Sequence, residues 1–177
     1  MAKPSVTVIC VFLLVVAAGC GGDDSSDVTT DVDSLVPSKR DYIVQADTIC
    51  ANSDQGIQTE AEVTFKISSN DFTIKPNGEI VFKPGRRPSD REIEDFGTDV
   101  VIPAFREQLA DLRGLTPPEG DEATVNEIYD EAERAVDRLE ADPSVFTDSA
   151  AVRRELARAR SLGRRYGFFD CGTYSAP

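Results

Sequence analysis

The stretch DEATVNEIYDEAERAVDRLEAD, residues 121–142, decides the fold class of this chain. Its apolar side chains recur every three or four residues within about 100° of a helical wheel, the pattern of a helix that buries one face. This stripe is formed by Val125, Ile128, Tyr129, Ala132, Val136 and Leu139. The other positions carry nine acids and only two arginines. The stretch therefore predicts a helix with one face in a core and an acidic outer surface.

Two more helices follow from the same spacing. The first begins near residue 39, and its stripe is formed by Tyr42, Ala46, Ile49, Cys50, Ser53, Ile57 and Ala61. The last runs from about residue 148 to residue 166, and its stripe is formed by Val152, Leu156, Ala159, Gly163 and Tyr166. Because Cys50 lies on an apolar face, we expect its side chain to point into the core.

A fourth helix is predicted to begin at Asp90, because Ser89 and Glu92 have the spacing of a capping box. Pro103 cannot donate a backbone hydrogen bond, so a kink is expected near Val100. The predicted inward stripe consists of Ile93, Phe96, Val100, Ala104, Phe105, Leu109 and Leu112.

Residues 71–83 alternate apolar and polar side chains around Asn77-Gly78, a strong hairpin signal. This segment lies between the first two helices. Four amphipathic helices with short connections indicate an all-α fold. We predict an antiparallel four-helix bundle with a short β-hairpin insertion between helices 1 and 2.

The N-terminal region contains a segment that predicts where the protein is located. Lys3 is followed by 13 apolar or small residues, 6–18, and then by Gly19-Cys20. Such a run is shorter than the roughly 20 residues of a membrane span and fits the core of a secretory signal peptide. The segment resembles the signal peptides of bacterial lipoproteins, in which the cysteine at the cleavage site carries a diacylglyceryl group. The resemblance implies cleavage before Cys20 and a lipid anchor on the extracytoplasmic side of the cell membrane.

Three regions are expected from this organisation. Residues 1–19 form the signal peptide, residues 20–38 a lipidated, flexible acidic tether, and residues 39–177 the helical domain. The tether is rich in Gly, Asp and Ser and has too few apolar side chains to repay the entropy of ordering. Its acids lack the spacing of a calcium-binding loop, so a solvated spacer is the preferred interpretation.

Two cysteines remain once Cys10 leaves with the signal peptide and Cys20 carries lipid. Cys50 and Cys171 are expected to form a disulfide, because the extracytoplasmic compartment is oxidising. A reactive or metal-binding thiol pair is the alternative, but it needs further ligands such as histidine, and the chain has none. We therefore expect no metal and no cofactor.

Charge and composition exclude several function classes. The chain has a net charge of -13, which repels nucleic acid. The absence of histidine excludes Ser-His-Asp and Cys-His catalysis. A hydrolase built on two carboxylates across a cleft is the weaker alternative to a protein that is not an enzyme.

Arginines on the last helix admit two interpretations. Arg154, Arg158 and Arg165 are a candidate anion-binding face for a carboxylate, a phosphate or an acidic envelope polymer. The same side chains are also placed to pair with the acidic helix of residues 121–142. The second, structural interpretation is preferred, and the first stays open.

Short motifs along the chain support a family resemblance. They are the lipoprotein cysteine, ADTICA at 46–51, VIPAFREQL at 101–109, LRGLTPPEGDE at 112–122 and YGFFDCG at 166–172. In this order they resemble small actinobacterial lipoproteins of uncharacterised function. The resemblance implies no activity. We expect a binding or envelope-interaction module with an envelope protein or acidic polymer as partner, and a spacer without a ligand is the alternative.

Overall fold

The computed structural model describes residues 37–68, 70–74 and 80–171. This part of the chain is mostly helical, with one small antiparallel sheet, which confirms the predicted fold class in broad terms. The helices are α1 Lys39–Phe65, α2 Asp90–Phe96, α3 Ile102–Gly114, α4 Glu122–Ala141 and α5 Ser149–Tyr166. The strands are β1 Phe72–Ile74 and β2 Ile80–Phe82.

Hydrogen bonds at the helix ends explain where the helices begin. The Ser89 hydroxyl accepts from the Glu92 backbone N–H at 3.3 Å, and the Glu92 carboxylate accepts from the Ser89 N–H at 2.8 Å. The predicted capping box is therefore confirmed. At α5, Asp148 accepts from the backbone N–H of Ala150 at 2.8 Å. The helix ends at Gly167, whose φ of 123° favours glycine.

The hairpin pairs β1 with β2 in the antiparallel register Phe72↔Phe82. The rings of Phe72 and Phe82 lie 6.1 Å apart between centroids. At the base of the hairpin, Arg86 donates to both carboxylate oxygens of Asp71 at 2.8 and 2.9 Å, and this pairing lowers the pKa of Asp71. The predicted Asn77-Gly78 turn lies outside the residues that the structure describes.

A π-helical turn, Gly97–Val101, joins α2 to α3. At the end of this turn, the backbone N–H of Ile102 donates to the carbonyl of Gly97, five residues earlier. Pro103 follows at once and has no N–H to offer, so the predicted irregularity is present as a widened turn.

The extra residue in this turn changes two positions of the predicted inward stripe, whereas Phe96, Leu109 and Leu112 are buried as predicted. Val100 and Ala104 are only half-buried, whereas Val101 and Phe105 lie in the core. The buried side chains Phe96 and Val101 are five residues apart. After Val101, the buried side chains return to the spacing of three or four residues that is typical of an α-helix.

The core lies between α1, α3, α4 and α5, and α4 packs most extensively on α5. Tyr42 and Tyr129 are buried there, with their hydroxyl oxygens 2.6 Å apart. A 3-10 turn that the sequence did not predict, Pro143–Thr147, connects α4 to α5. Over residues 37–171 as described, no helix combines the length and apolarity needed to cross a bilayer.

Candidate functional site

A cavity of about 90 Å³ lies among α1, α3, α4, α5 and the segment that follows α5. Its walls are mostly apolar. They are formed by Phe105, Leu109, Leu112, Ile128, Tyr129, Ala132, Val136, Leu156, Ala159 and Phe168. Asp54, Gln108, Arg160 and Asp170 also line the cavity, together with Cys50 and Cys171. An apolar cavity with a few convergent polar groups is the usual form of a small-molecule site.

Cys50 and Cys171 form part of the wall on the side of α1. Their Sγ atoms lie 2.00 Å apart, the disulfide distance, as the sequence predicted. Asp47, on the same helix, accepts hydrogen bonds from the backbone N–H groups of Phe169 at 2.9 Å and of Cys171 at 3.1 Å. Phe168, 2% exposed, packs against the Tyr42 ring. Residues 168–171 are thus held against α1 by three kinds of contact.

Gln108 brings an unsatisfied acceptor to this wall. Its Nε2 donates to Sγ of Cys50 at 2.9 Å. Its Oε1 is buried and has no hydrogen-bond partner within the described part of the chain. A buried acceptor without a donor costs about 1–3 kcal/mol, so its presence beside a cavity calls for an explanation.

Asp54 places a carboxylate in the same cavity. It lies one helical turn after Cys50 on α1, so the two side chains project from the same face. Among the residues that the structure describes, no hydrogen-bond donor or basic side chain pairs with it. Burial, and to a lesser extent the charge of Asp170, raises the pKa of Asp54 to about 7. A titratable group perturbed in this way, inside a cavity, marks a candidate functional residue.

The raised pKa makes a prediction about stability. An unfolded Asp has a pKa of about 4, so between pH 4 and pH 7 the folded state binds more protons and the free energy of unfolding falls as pH rises. We expect Asp54→Asn to remove this pH-dependent fall in the free energy of unfolding. The variant should be more stable than the parent by about 1–2 kcal/mol at pH 8, after allowance for partial exposure, and equally stable at pH 4. Urea unfolding at both pH values measures the difference.

Glu60→Gln is the matched control, because Glu60 is an exposed acid on the same helix. It should change stability little at either pH. If Asp54→Asn and the parent have equal free energies of unfolding at pH 8, the surroundings of Asp54 do not destabilise its ionised carboxylate and the prediction is wrong.

The three arginines of the candidate anion-binding face have different partners. Nε of Arg158 lies 3.3 Å from Oε2 of Glu131, a buried acid on α4. Arg154 reaches Asp148 at 3.6 Å, and Arg165 donates to the Ser161 hydroxyl at 2.7 Å. One of the three therefore pairs with the acidic helix, and the other two have partners on or next to their own helix.

A shallow groove on α5 gathers a different set of arginines. It has a volume of about 430 Å³ and is lined by Arg153, Ala157, Arg160, Ser161, Arg164 and Arg165. Burial, followed by the charges of Arg164 and Arg153, lowers the pKa of Arg160. Only Arg165 of the predicted trio lines this groove.

The acids of α4 pair chiefly with α3, which the sequence analysis missed. Arg106 bonds to Asp137 at 2.6 Å and to Glu140 at 2.7 Å. Arg113 repeats this pattern with two acids of α4, Asp130 at 2.8 Å and Glu133 at 2.9 Å. The seven-residue spacing of Arg106 and Arg113, matched by that of their acids, was the signal that could have found these pairs.

Two further predicted features concern sites elsewhere. Cys20, the predicted lipidation residue, lies outside the described residues. In the part of the chain that is described, no group of three or more Cys, Asp or Glu side chains is arranged to hold a metal ion.

Comparison with known proteins gives no relative from which a role could be transferred. The chain matches no protein-family model, no curated protein and no solved structure at a significant level.

Proposed function

We propose that this protein is a lipid-anchored extracytoplasmic module that binds a small ligand in the cavity described above. The anchor follows from the N-terminal region, because a diacylglyceryl group on Cys20 would supply the two chains that stable membrane attachment needs. Intact-mass measurement on protein from its native membrane tests this part. Cleavage before Cys20 with a diacyl mass increment is expected, and an uncleaved N-terminus would contradict it.

The observation that carries the binding function is the coincidence of an apolar cavity with unsatisfied polar groups. A structural core would be expected to close around its apolar side chains and to satisfy each buried acceptor. Here, within the described part of the chain, Oε1 of Gln108 is buried without a donor and the partly buried Asp54 carboxylate has none either, beside about 90 Å³ of open space. That volume is more than half of the ~150 Å³ cavity that binds benzene in an engineered protein.

Filling the cavity provides the test. Ala132 lines it from α4, and Ala132→Leu would place a larger apolar side chain inside. With 3-methylbutan-1-ol as the probe, we expect saturable shifts of amide signals from cavity residues in the parent and at least a tenfold weaker effect in the variant. Two-dimensional amide NMR measures both.

Ala123→Leu is the matched control, because Ala123 is exposed on the same helix. It should bind the alcohol as the parent does. Equal binding by Ala132→Leu and the parent, or no saturable binding by the parent, would contradict a ligand site in this cavity.

A carboxylate-based hydrolase is the second candidate, and the observation that favours it is the pair Asp54 and Asp170. Both line the cavity, and the pKa of Asp54 is raised to about 7 as a general acid would require. Binding is preferred because glycoside hydrolysis needs space for a sugar ring between two carboxylates. A cavity of about 90 Å³ instead suits a small alkyl group.

The arginines of α5 support a structural role more than an anion-binding role. Arg158 pairs with Glu131 on α4, and Arg138 on α4 donates to Glu155 on α5 at 2.7 Å. These opposite pairings favour α4 and α5 as neighbours, and they make contact with an acidic envelope polymer the weaker proposal. We further propose that α1, α2–α3, α4 and α5 are the four members of an antiparallel bundle, as four amphipathic helices with short connections favour.

A further inference from the structure

Two of the polar groups that line the cavity, Asp54 and Gln108, each have an acceptor without a donor in the part of the chain that the structure describes. Oε1 of Gln108 is a buried acceptor whose amide Nε2 is already engaged by Cys50. Asp54 is a carboxylate without a donor in the described part of the chain. The Gln108 amide contacts Cys50, and Asp54 follows Cys50 by one helical turn, so the two acceptors flank the same cysteine.

Charge at the cavity points in the same direction. Asp54 and Asp170 contribute two carboxylates and Arg160 contributes one guanidinium, and Asp170 and Arg160 each have an interaction of their own. When both acids are ionised, the summed formal charge of these three side chains is negative. A cation is therefore preferred over an anion as the polar group of a ligand.

We propose that the cavity binds a small alkylammonium ion, with the ammonium group on Asp54 and Oε1 of Gln108 and the alkyl group against the apolar walls. This inference rests on the proposed binding function and deepens it. An ammonium group offers three donors and no acceptor, so it matches acceptors that lack donors. Leu109, Val136 and Leu156 supply the apolar contact for the alkyl part.

Three probes with the same branched carbon skeleton separate the possibilities: 3-methylbutylamine, 3-methylbutan-1-ol and 3-methylbutanoate. They differ only in the polar group. At pH 8, amide NMR titration is expected to show the amine binding at least tenfold more tightly than the alcohol and the carboxylate not binding. Asp54→Asn should weaken binding of the amine to the affinity of the alcohol and leave the affinity for the alcohol unchanged. Glu60→Gln, an exposed acid on α1, should leave all three affinities unchanged.

The pH dependence supplies a second readout. Amine binding should weaken as pH falls from 8 to 5 and Asp54 becomes protonated, whereas alcohol binding should stay constant. An amine that binds no more tightly than the alcohol, or that is insensitive to Asp54→Asn, would overturn the inference while leaving a binding cavity in place. Tighter binding of the carboxylate would overturn it as well. Failure of all three probes would overturn the binding function itself, and the inference with it.

Discussion

Loss of the disulfide by the double substitution Cys50→Ala/Cys171→Ala is expected to lower the free energy of unfolding by about 3–4 kcal/mol. The bridge joins residues 121 positions apart, so its removal releases a large loop in the unfolded chain. Entropy estimates for loops of this length reach about 5 kcal/mol, and measured effects are usually smaller. The midpoint of thermal unfolding should fall by roughly 10 °C.

The parent protein treated with reductant is the internal comparison for this measurement. It should unfold at the same temperature as the double variant, and the variant should not respond to reductant. Non-reduced peptide mapping gives the covalent answer directly. Free thiols at Cys50 and Cys171 in secreted protein, or a parent insensitive to reductant, would contradict the predicted bridge.

Substitution Gly97→Ala is expected to destabilise the domain by about 1–3 kcal/mol, although alanine favours helices more than glycine does. A Cβ atom at Gly97 would overlap the ring of Phe146, which lies directly on the π-helical turn. The overlap involves atoms near the base of the ring, so a small movement of its far end would not relieve it. Urea unfolding measures the change.

Two comparisons isolate this contact. Gly56→Ala on α1 meets no other atom within 4 Å, so it should stabilise the protein by about 0.5–1 kcal/mol through helix propensity alone. In the background of Phe146→Ala, the cost of Gly97→Ala should largely disappear. If Gly97→Ala stabilises as Gly56→Ala does, the close packing of Phe146 on the turn is wrong.

Sequence periodicity predicted α5 well because one uninterrupted stripe faces one core. Every member of that predicted stripe, from Val152 to Tyr166, is buried. It was wrong at Val100 and Ala104, because a period of 3.6 residues cannot anticipate a turn that contains an additional residue. Phe105, Leu109 and Leu112, further along the same predicted stripe, are buried as expected. Pro103 indicated that the helix would be irregular near Val100 but not that Val101 would replace Val100 in the core.

Only part of the candidate site could be predicted from the sequence. Once Cys50 was assigned to a core-facing position, Asp54 one turn later on the same face was a polar side chain in an apolar environment, and that signal was available. The sequence around Gln108 gave no such signal, because the position of Gln108 beside Cys50 depends on how α3 packs against α1. A cavity arises from the mismatch of side-chain shapes across several helices, which no single helix encodes.

The π-helical turn also restricts how the length of this chain can vary. An α-helix advances about 100° per residue, so the additional residue in Gly97–Val101 sets the rotation of α3 relative to α2. Deleting one residue from the turn would favour regular α-helical spacing and swing Phe105, Leu109 and Leu112 about a quarter turn away from the core. Related proteins that share this packing should therefore keep the same number of residues between α2 and α3.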